Sequence, residues 1–151
     1  MIKKEYKYLK IERNKNILEI HFLCDQEYKN PILHSSLLKE IRGFFVSINK
    51  KKALGRKIKN IHLKGFSKHF AMGADVATMK KIGITTDPAL AYQLSEFGQS
   101  VFLQIHSSRI PVTAFLRGYT LGGGLELAMA CHERIALSNS VLGLPEVTLG
   151  L

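Results

Sequence analysis

Apolar and polar positions alternate loosely over residues 6–12 and more strictly over Asn16-Ile17-Leu18-Glu19-Ile20-His21-Phe22-Leu23, the period-two signature of strands. Asn14-Lys15-Asn16 supplies a turn before the second tract, so the pair reads as a β-hairpin. The pattern breaks at Lys29-Asn30-Pro31, and a different period follows. Leu37, Leu38, Ile41, Phe44, Phe45 and Ile48 recur at helical spacing and predict a core-facing helix capped near Ser35 or Ser36. Residues 58–65 read as the next strand, and residues 66–75 as a loop of small side chains leading into a short helix through Met79. Asp87-Pro88 is a helix start, an N-cap aspartate followed by proline at the first helical position. That helix is predicted to run to about His106 and to bury Leu90, Leu94, Phe97, Val101, Phe102 and Ile105. A buried strand is expected over residues 111–116, then a glycine turn and a helix packed through Leu125, Ala128, Met129 and Ala130. Short strands at 134–137 and 141–142 follow, and Gly143-Leu144-Pro145-Glu146-Val147 turns toward a further segment. The order is ββα, βα, βαβ, a mixed α/β layout.

The length, 151 residues, suits one domain able to bury a core, and 46% hydrophobic with 23% charged side chains is the composition of a globular protein. No stretch approaches the ~18 apolar residues of a membrane span, and Met1-Ile2-Lys3-Lys4-Glu5-Tyr6-Lys7 lacks the apolar run of a secretory signal. A reducing cytoplasmic setting is the expectation. The formal charge of +10 favours anionic partners in general. Part of the excess crowds into Lys50, Lys51, Lys52, Arg56, Lys57 and Lys59, with no aromatic among them to stack a base, which argues against nucleic acid and for a solvated face or an acidic cofactor. Cys24 and Cys131 form no metal or redox motif, and both read as reduced packing residues in apolar surroundings. The six histidines show no ligand spacing, so no metal is expected.

The chemistry concentrates around Gly118-Tyr119-Thr120-Leu121-Gly122-Gly123-Gly124-Leu125-Glu126, where a strand becomes a helix. Glycine there permits positive φ and brings bare N–H groups close to a ligand. The first N–H groups of a helix have no internal partner and carry the positive end of its dipole. Such a turn holds a phosphate or the oxygen of a polarised carbonyl. Neither Gly-Lys-Ser/Thr nor Gly-x-Gly-x-x-Gly is completed. On these residues alone, a flexible turn with Glu126 as a first-turn acid is an equal reading.

Three motifs in this order change that balance. Phe70-Ala71-Met72-Gly73-Ala74-Asp75, the glycine turn through Glu126, and Gly143-Leu144-Pro145-Glu146-Val147-Thr148-Leu149-Gly150 together resemble the crotonase, or enoyl-CoA hydratase/isomerase, superfamily. The wording around Glu126 and Glu146 is most similar to the hydratase part of multifunctional fatty-acid oxidation proteins. The resemblance covers nearly the whole chain, most weakly over the first fifty residues, and reads residues 1–151 as the N-terminal catalytic core of such a domain. It implies a crotonase-like ββα spiral core that lacks the family's C-terminal helices. The apolar close, Val147-Thr148-Leu149-Gly150-Leu151, agrees with a truncated chain, because relatives continue past this point with helices that cover the acyl pocket and mediate homotrimer or hexamer assembly.

The activity implied is hydration of trans-2-enoyl-CoA to 3-hydroxyacyl-CoA in fatty-acid β-oxidation. The alternatives are Δ3,Δ2-enoyl-CoA isomerisation and a non-catalytic fragment that binds coenzyme A. Carried over by motif, the backbone N–H groups of Ala74 and Gly123 would form a thioester oxyanion hole. Glu126 would hold the water, and Glu146 would exchange the proton at the α-carbon. Coenzyme A would enter as part of the substrate, with no cofactor bound permanently. Its contacts would fall on Ala71, Ala74, Asp75, Val76 and Gly123, with Lys68 and Lys29 as the cations near its phosphates. Arg117 and Thr120 depart from the family's commoner choices.

Overall fold

The computed structural model describes residues 5–24, 27, 29–51, 57–76 and 87–148. Strands β1 (Leu9–Asn14) and β2 (Ile17–Phe22) form the hairpin, with Asn14 opposite Ile17 and Lys15 in the turn at φ +53°. Parallel pairing then adds β3 (Asn60–Gly65), β4 (Val112–Leu116) and β6 (Glu133–Ala136) in the order β1-β2-β3-β4-β6. Leu18, Ile20 and Phe22 point to the same buried side as Ile61 and Leu63 of β3 and Val112 and Ala114 of β4. The opposite face of the hairpin is polar, with Lys64 Nζ 2.7 Å from Glu19 Oε2. Period-two patterning therefore decides which face the helices cover.

Among the described residues two helices cover it. Helix α1 (Ser35–Lys50) buries Leu37, Ile41, Phe44, Phe45 and Ile48. Its cap is His34, not a serine: the buried imidazole Nδ1 accepts the Leu37 N–H at 3.2 Å, as a hydroxyl would. Helix α2 (Pro88–His106) starts at the predicted Asp87-Pro88 pair, the aspartate accepting from the Ala89 and Leu90 N–H groups. Only Val101 and Ile105 of its apolar stripe are fully buried. Leu94, Phe97 and Phe102 stay partly open because they border a cavity instead of filling the core.

The remaining elements differ from the sequence reading in particular ways. Strand β1 begins at Leu9 and not Tyr6, because the N–H groups of Lys7 and Tyr8 donate to the Glu40 carboxylate at 2.9 Å each. An unexpected strand, β5 (Tyr119–Leu121), pairs in parallel with β7 (Val141–Gly143) in a separate two-stranded sheet. Helix α3 (Gly123–Met129) packs through Gly124, Leu127 and Ala128, while Met129, expected inside, is 51% exposed. Ile135, Leu137, Val141, Leu142 and Leu144 are likewise exposed. The short helix expected through Met79 lies outside the described residues beyond Val76, as do Lys52 and Arg56 of the basic segment; Lys50, Lys51, Lys57 and Lys59 are exposed. Among the described residues no helix is long and apolar enough to cross a membrane.

Cys131 is the packing residue expected, its thiol donating to the Leu127 carbonyl at 3.5 Å, whereas Cys24 is exposed. Burial pushes the Cys131 thiol up to about 12, with Arg134 opposing the shift.

Two outcomes follow. Asp87→Ala removes the acceptor for two helix N–H groups and should lower stability by about 1 kcal/mol in a denaturant titration; an unchanged midpoint would show that the cap is not formed in solution. A thiol reagent at pH 8 should modify Cys24 but not Cys131 in the native protein, since a thiol titrating near 12 is ionised only to the order of 10⁻⁴ at that pH. Equal labelling rates without denaturant would contradict the burial of Cys131.

Candidate active site

The loop from Phe70 to Ala74 runs as an extended ribbon between two other segments. On one side the Met72 N–H donates to the Pro31 carbonyl at 2.7 Å and the Leu33 N–H to the Gly73 carbonyl at 2.8 Å. On the other, the Leu121 N–H donates to the Ala71 carbonyl at 3.0 Å, and the Phe70 N–H is shared between the carbonyls of Arg117 and Tyr119. These contacts make two isolated parallel bridges, Leu33 with Ala74 and Ala71 with Thr120. A parallel bridge at Ala74 uses groups of its flanking residues, so its own N–H faces the other side of the ribbon. Gly73, at φ +100°, turns the chain just before it.

What the Ala74 N–H faces is the glycine turn. A Cβ built on Gly123 would lie 3.6 Å from the Ala74 nitrogen and 3.7 Å from Glu126 Oε2. Gly123 is the first residue of α3, and among the described residues no side chain caps its N-terminus. Among the described residues neither the Ala74 nor the Gly123 N–H donates to another backbone group. Two donors thus converge at the positive end of a short helix.

The glycines on either side of Gly123 each have a steric duty. Gly122 adopts φ +49°, and any Cβ there would collide with Glu146 Oε1. At Gly124 a Cβ would lie 2.5 Å from the Ala71 carbonyl oxygen, so α3 packs backbone to backbone on the ribbon. The Gly122 N–H donates to the Gly143 carbonyl at 2.9 Å, extending the β5–β7 pairing to the turn. That bond brings the 3-10 turn Pro145–Thr148, and with it Glu146, against Gly122. Glu146 Oε2 is buried, and no hydrogen-bond partner reaches it among the described residues. One carboxylate therefore sits against Gly122 and another beside Gly123.

A cavity of about 400 Å³ opens from this point between α1 and α2. Ala74, Asp75, Gly123 and Glu126 form its polar end, and Leu33, Leu38, Leu94, Phe97 and Phe102 are the apolar part of its wall. Glu126 is exposed to it, while Glu146 stands behind the turn.

The structure thus brings together Ala74, Gly123, Glu126 and Glu146, with Asp75 at the cavity edge. Val76 follows, its N–H turned back to the Ala74 carbonyl at 3.0 Å. Ala71 is fully buried beneath Gly124 and is not part of the cavity wall. Lys68 and Lys29 are exposed and also lie off that wall. Sequence reasoning missed the wall itself, because Leu94, Phe97 and Phe102 are indistinguishable from core residues by periodicity alone. It missed Gly122 as the seat of Glu146 as well, since no sequence pattern reports a contact across twenty-four residues.

The likeness to known proteins agrees with this fold. The family model of enoyl-CoA hydratase/isomerase matches residues 12–151. A probable enoyl-CoA hydratase of Bacillus subtilis is 42% identical over 94 residues, which are 62% of this chain and 35% of that protein. A fatty acid oxidation complex subunit alpha of Shewanella halifaxensis is 46% identical over 84 residues, 54% of this chain and 11% of that one. The crystal structure of an enoyl-CoA hydratase from Thermoplasma volcanium superposes with a TM-score of 0.80 at 31% identity, covering 97% of this chain and 54% of its own. The chain spans about a third of the length of the Bacillus relative and about half of the solved one. With the fold, the three motifs and the family model all in agreement, the chain belongs to the enoyl-CoA hydratase/isomerase family.

Proposed function

We propose that this chain carries the site of an enoyl-CoA hydratase, which adds water across the conjugated double bond of a trans-2-enoyl-CoA. The observation that supports this most directly is the Gly122–Gly123 turn, where two N–H donors without a backbone partner among the described residues converge with Glu126 at the polar end of an apolar cavity and Glu146 packs behind against Gly122. In this reading the thioester carbonyl oxygen accepts from the Ala74 and Gly123 N–H groups. Attack of water at the β-carbon moves electrons onto that oxygen, and donors already in place stabilise the enolate without reorganising. Glu126, at the cavity edge, orients the water. Glu146 exchanges the proton at the α-carbon, and its buried Oε2 has no competing partner among the described residues.

Coenzyme A arrives with the substrate and is not a resident cofactor. Asp75, on the cavity wall, and Val76, which follows it in the chain, suit contacts with its pantetheine arm, and the exposed Lys68 and Lys29 suit its phosphates. Ala71 contributes by supporting the turn. Isomerisation of a 3-enoyl-CoA needs one acid to move a proton, so two carboxylates at one turn favour hydration. Assembly as a homotrimer or hexamer belongs to the same reading, and the exposed apolar side chains Ile135, Leu137 and Val141 suit burial in such an assembly.

Hydration of trans-2-butenoyl-CoA, followed by loss of enoyl absorbance, tests the proposal. Turnover is expected, and Glu146→Gln should reduce kcat by about 10²–10⁴; a variant as fast as the parent would remove Glu146 from the chemistry. Conversion of a 3-enoyl-CoA without hydration of the 2-enoyl isomer would make the protein an isomerase. Gly122→Ala forces a side chain into left-handed backbone and onto Glu146, so stability should fall by about 1–3 kcal/mol and activity with it. Denaturant titration and the same assay read both effects, and full retention of both would contradict the contact.

A further inference from the structure

Of the described glycines on which the fold depends, most declare why they must be glycine. Gly65, Gly73, Gly118 and Gly122 have positive φ, and Gly124 is pressed against the Ala71 backbone. Gly98, like Gly123 and Gly143, has neither reason. It lies in the interior of α2 with ordinary helical backbone, where glycine weakens a helix relative to alanine. Among the described residues, apart from its chain neighbours and its own helix backbone, no atom lies within 4 Å of where its Cβ would stand. That space is not solvent at large, because Gly98 lines the cavity that ends at Ala74, Gly123 and Glu126. Its neighbours on the wall, Leu94, Phe97 and Phe102, are large and apolar. The one position on this stretch of wall without a side chain thus opens volume where an acyl chain anchored at the glycine turn would extend.

We propose that Gly98 sets the acyl-length limit of this site, its missing side chain leaving room for acyl chains longer than butenoyl. The inference rests on the enoyl-CoA reading above and deepens it by naming a specificity-determining residue and the substrate class it admits. Gly98 touches no reacting atom in this account. It acts on the far end of the substrate, so its replacement should separate chain lengths and leave the chemistry at the thioester alone.

The test compares kcat/KM for trans-2-octenoyl-CoA and trans-2-butenoyl-CoA in the parent, Gly98→Ala and Gly98→Leu proteins. The parent should accept the octenoyl thioester at least as well as the butenoyl one. Gly98→Leu should lower the octenoyl value about tenfold or more, the scale on which a pocket discriminates single methylenes, with the butenoyl value within about twofold of the parent's. An unchanged ratio in a folded variant, an equal fall for both substrates, or a parent that rejects the octenoyl thioester would each overturn the proposal. If Gly98→Leu does not fold, Gly98→Ala, which helix propensity favours, should shift the ratio in the same direction by a smaller factor; no shift overturns it. A parent that hydrates neither substrate refutes the hydratase reading alone. Calorimetric binding of octanoyl-CoA and butyryl-CoA then decides the length limit, with selective loss of octanoyl-CoA affinity in the variants supporting it and equal affinities throughout overturning it.

Discussion

Everything at the site depends on close backbone approach at one glycine turn. Gly122 must adopt a left-handed conformation and leave its α-face to a carboxylate, and Gly124 must let α3 rest on the Ala71 carbonyl. Between them, Gly123 begins a helix with its N–H given to no backbone acceptor among the described residues. A side chain at either flanking position would separate the ribbon 70–74 from α3 or lift Glu146 off the turn. The two donors and two acids are therefore positioned by main-chain packing, which is stiffer than any arrangement of rotamers.

The parallel sheet supplies the rigid frame for that approach. Strand β4 delivers the chain to the turn, and the β5–β7 pairing returns a distant segment to it. The ribbon 70–74 is fixed on both edges by backbone hydrogen bonds, so the Ala74 N–H has one direction left to face. Helices α1 and α2 then stand apart just enough to leave an apolar cavity leading away from the donors. Such a site separates its tasks: polar groups and a helix terminus at one end, and non-directional apolar contact along the rest.

Much of this was legible in the sequence, and the exceptions have physical causes. Asp87-Pro88 announced α2 because cap chemistry is local, and the hairpin followed from alternation around Asn14-Lys15-Asn16. The three motifs named Ala74, Gly123, Glu126 and Glu146, and the fold puts the first three on one cavity wall and Glu146 behind it, against Gly122. The cap of α1 was misread because an imidazole nitrogen performed a task that serine usually has. Strand β5 was missed because three residues carry too little pattern. Leu94, Phe97 and Phe102 read as core because periodicity reports which face turns inward and not whether that face meets side chains or a void.

The central claim is that the Ala74 and Gly123 N–H groups act as a pair on one carbonyl oxygen. The direct measurement is the amide proton shift of these two residues, by nitrogen-resolved NMR, as a 3-ketoacyl-CoA whose enolate carries the relevant charge is added. Both resonances are expected to move strongly downfield together, well beyond the shifts of neighbouring amides. Saturation of binding with either one unmoved would contradict a shared oxyanion site and leave the glycine turn a purely structural device.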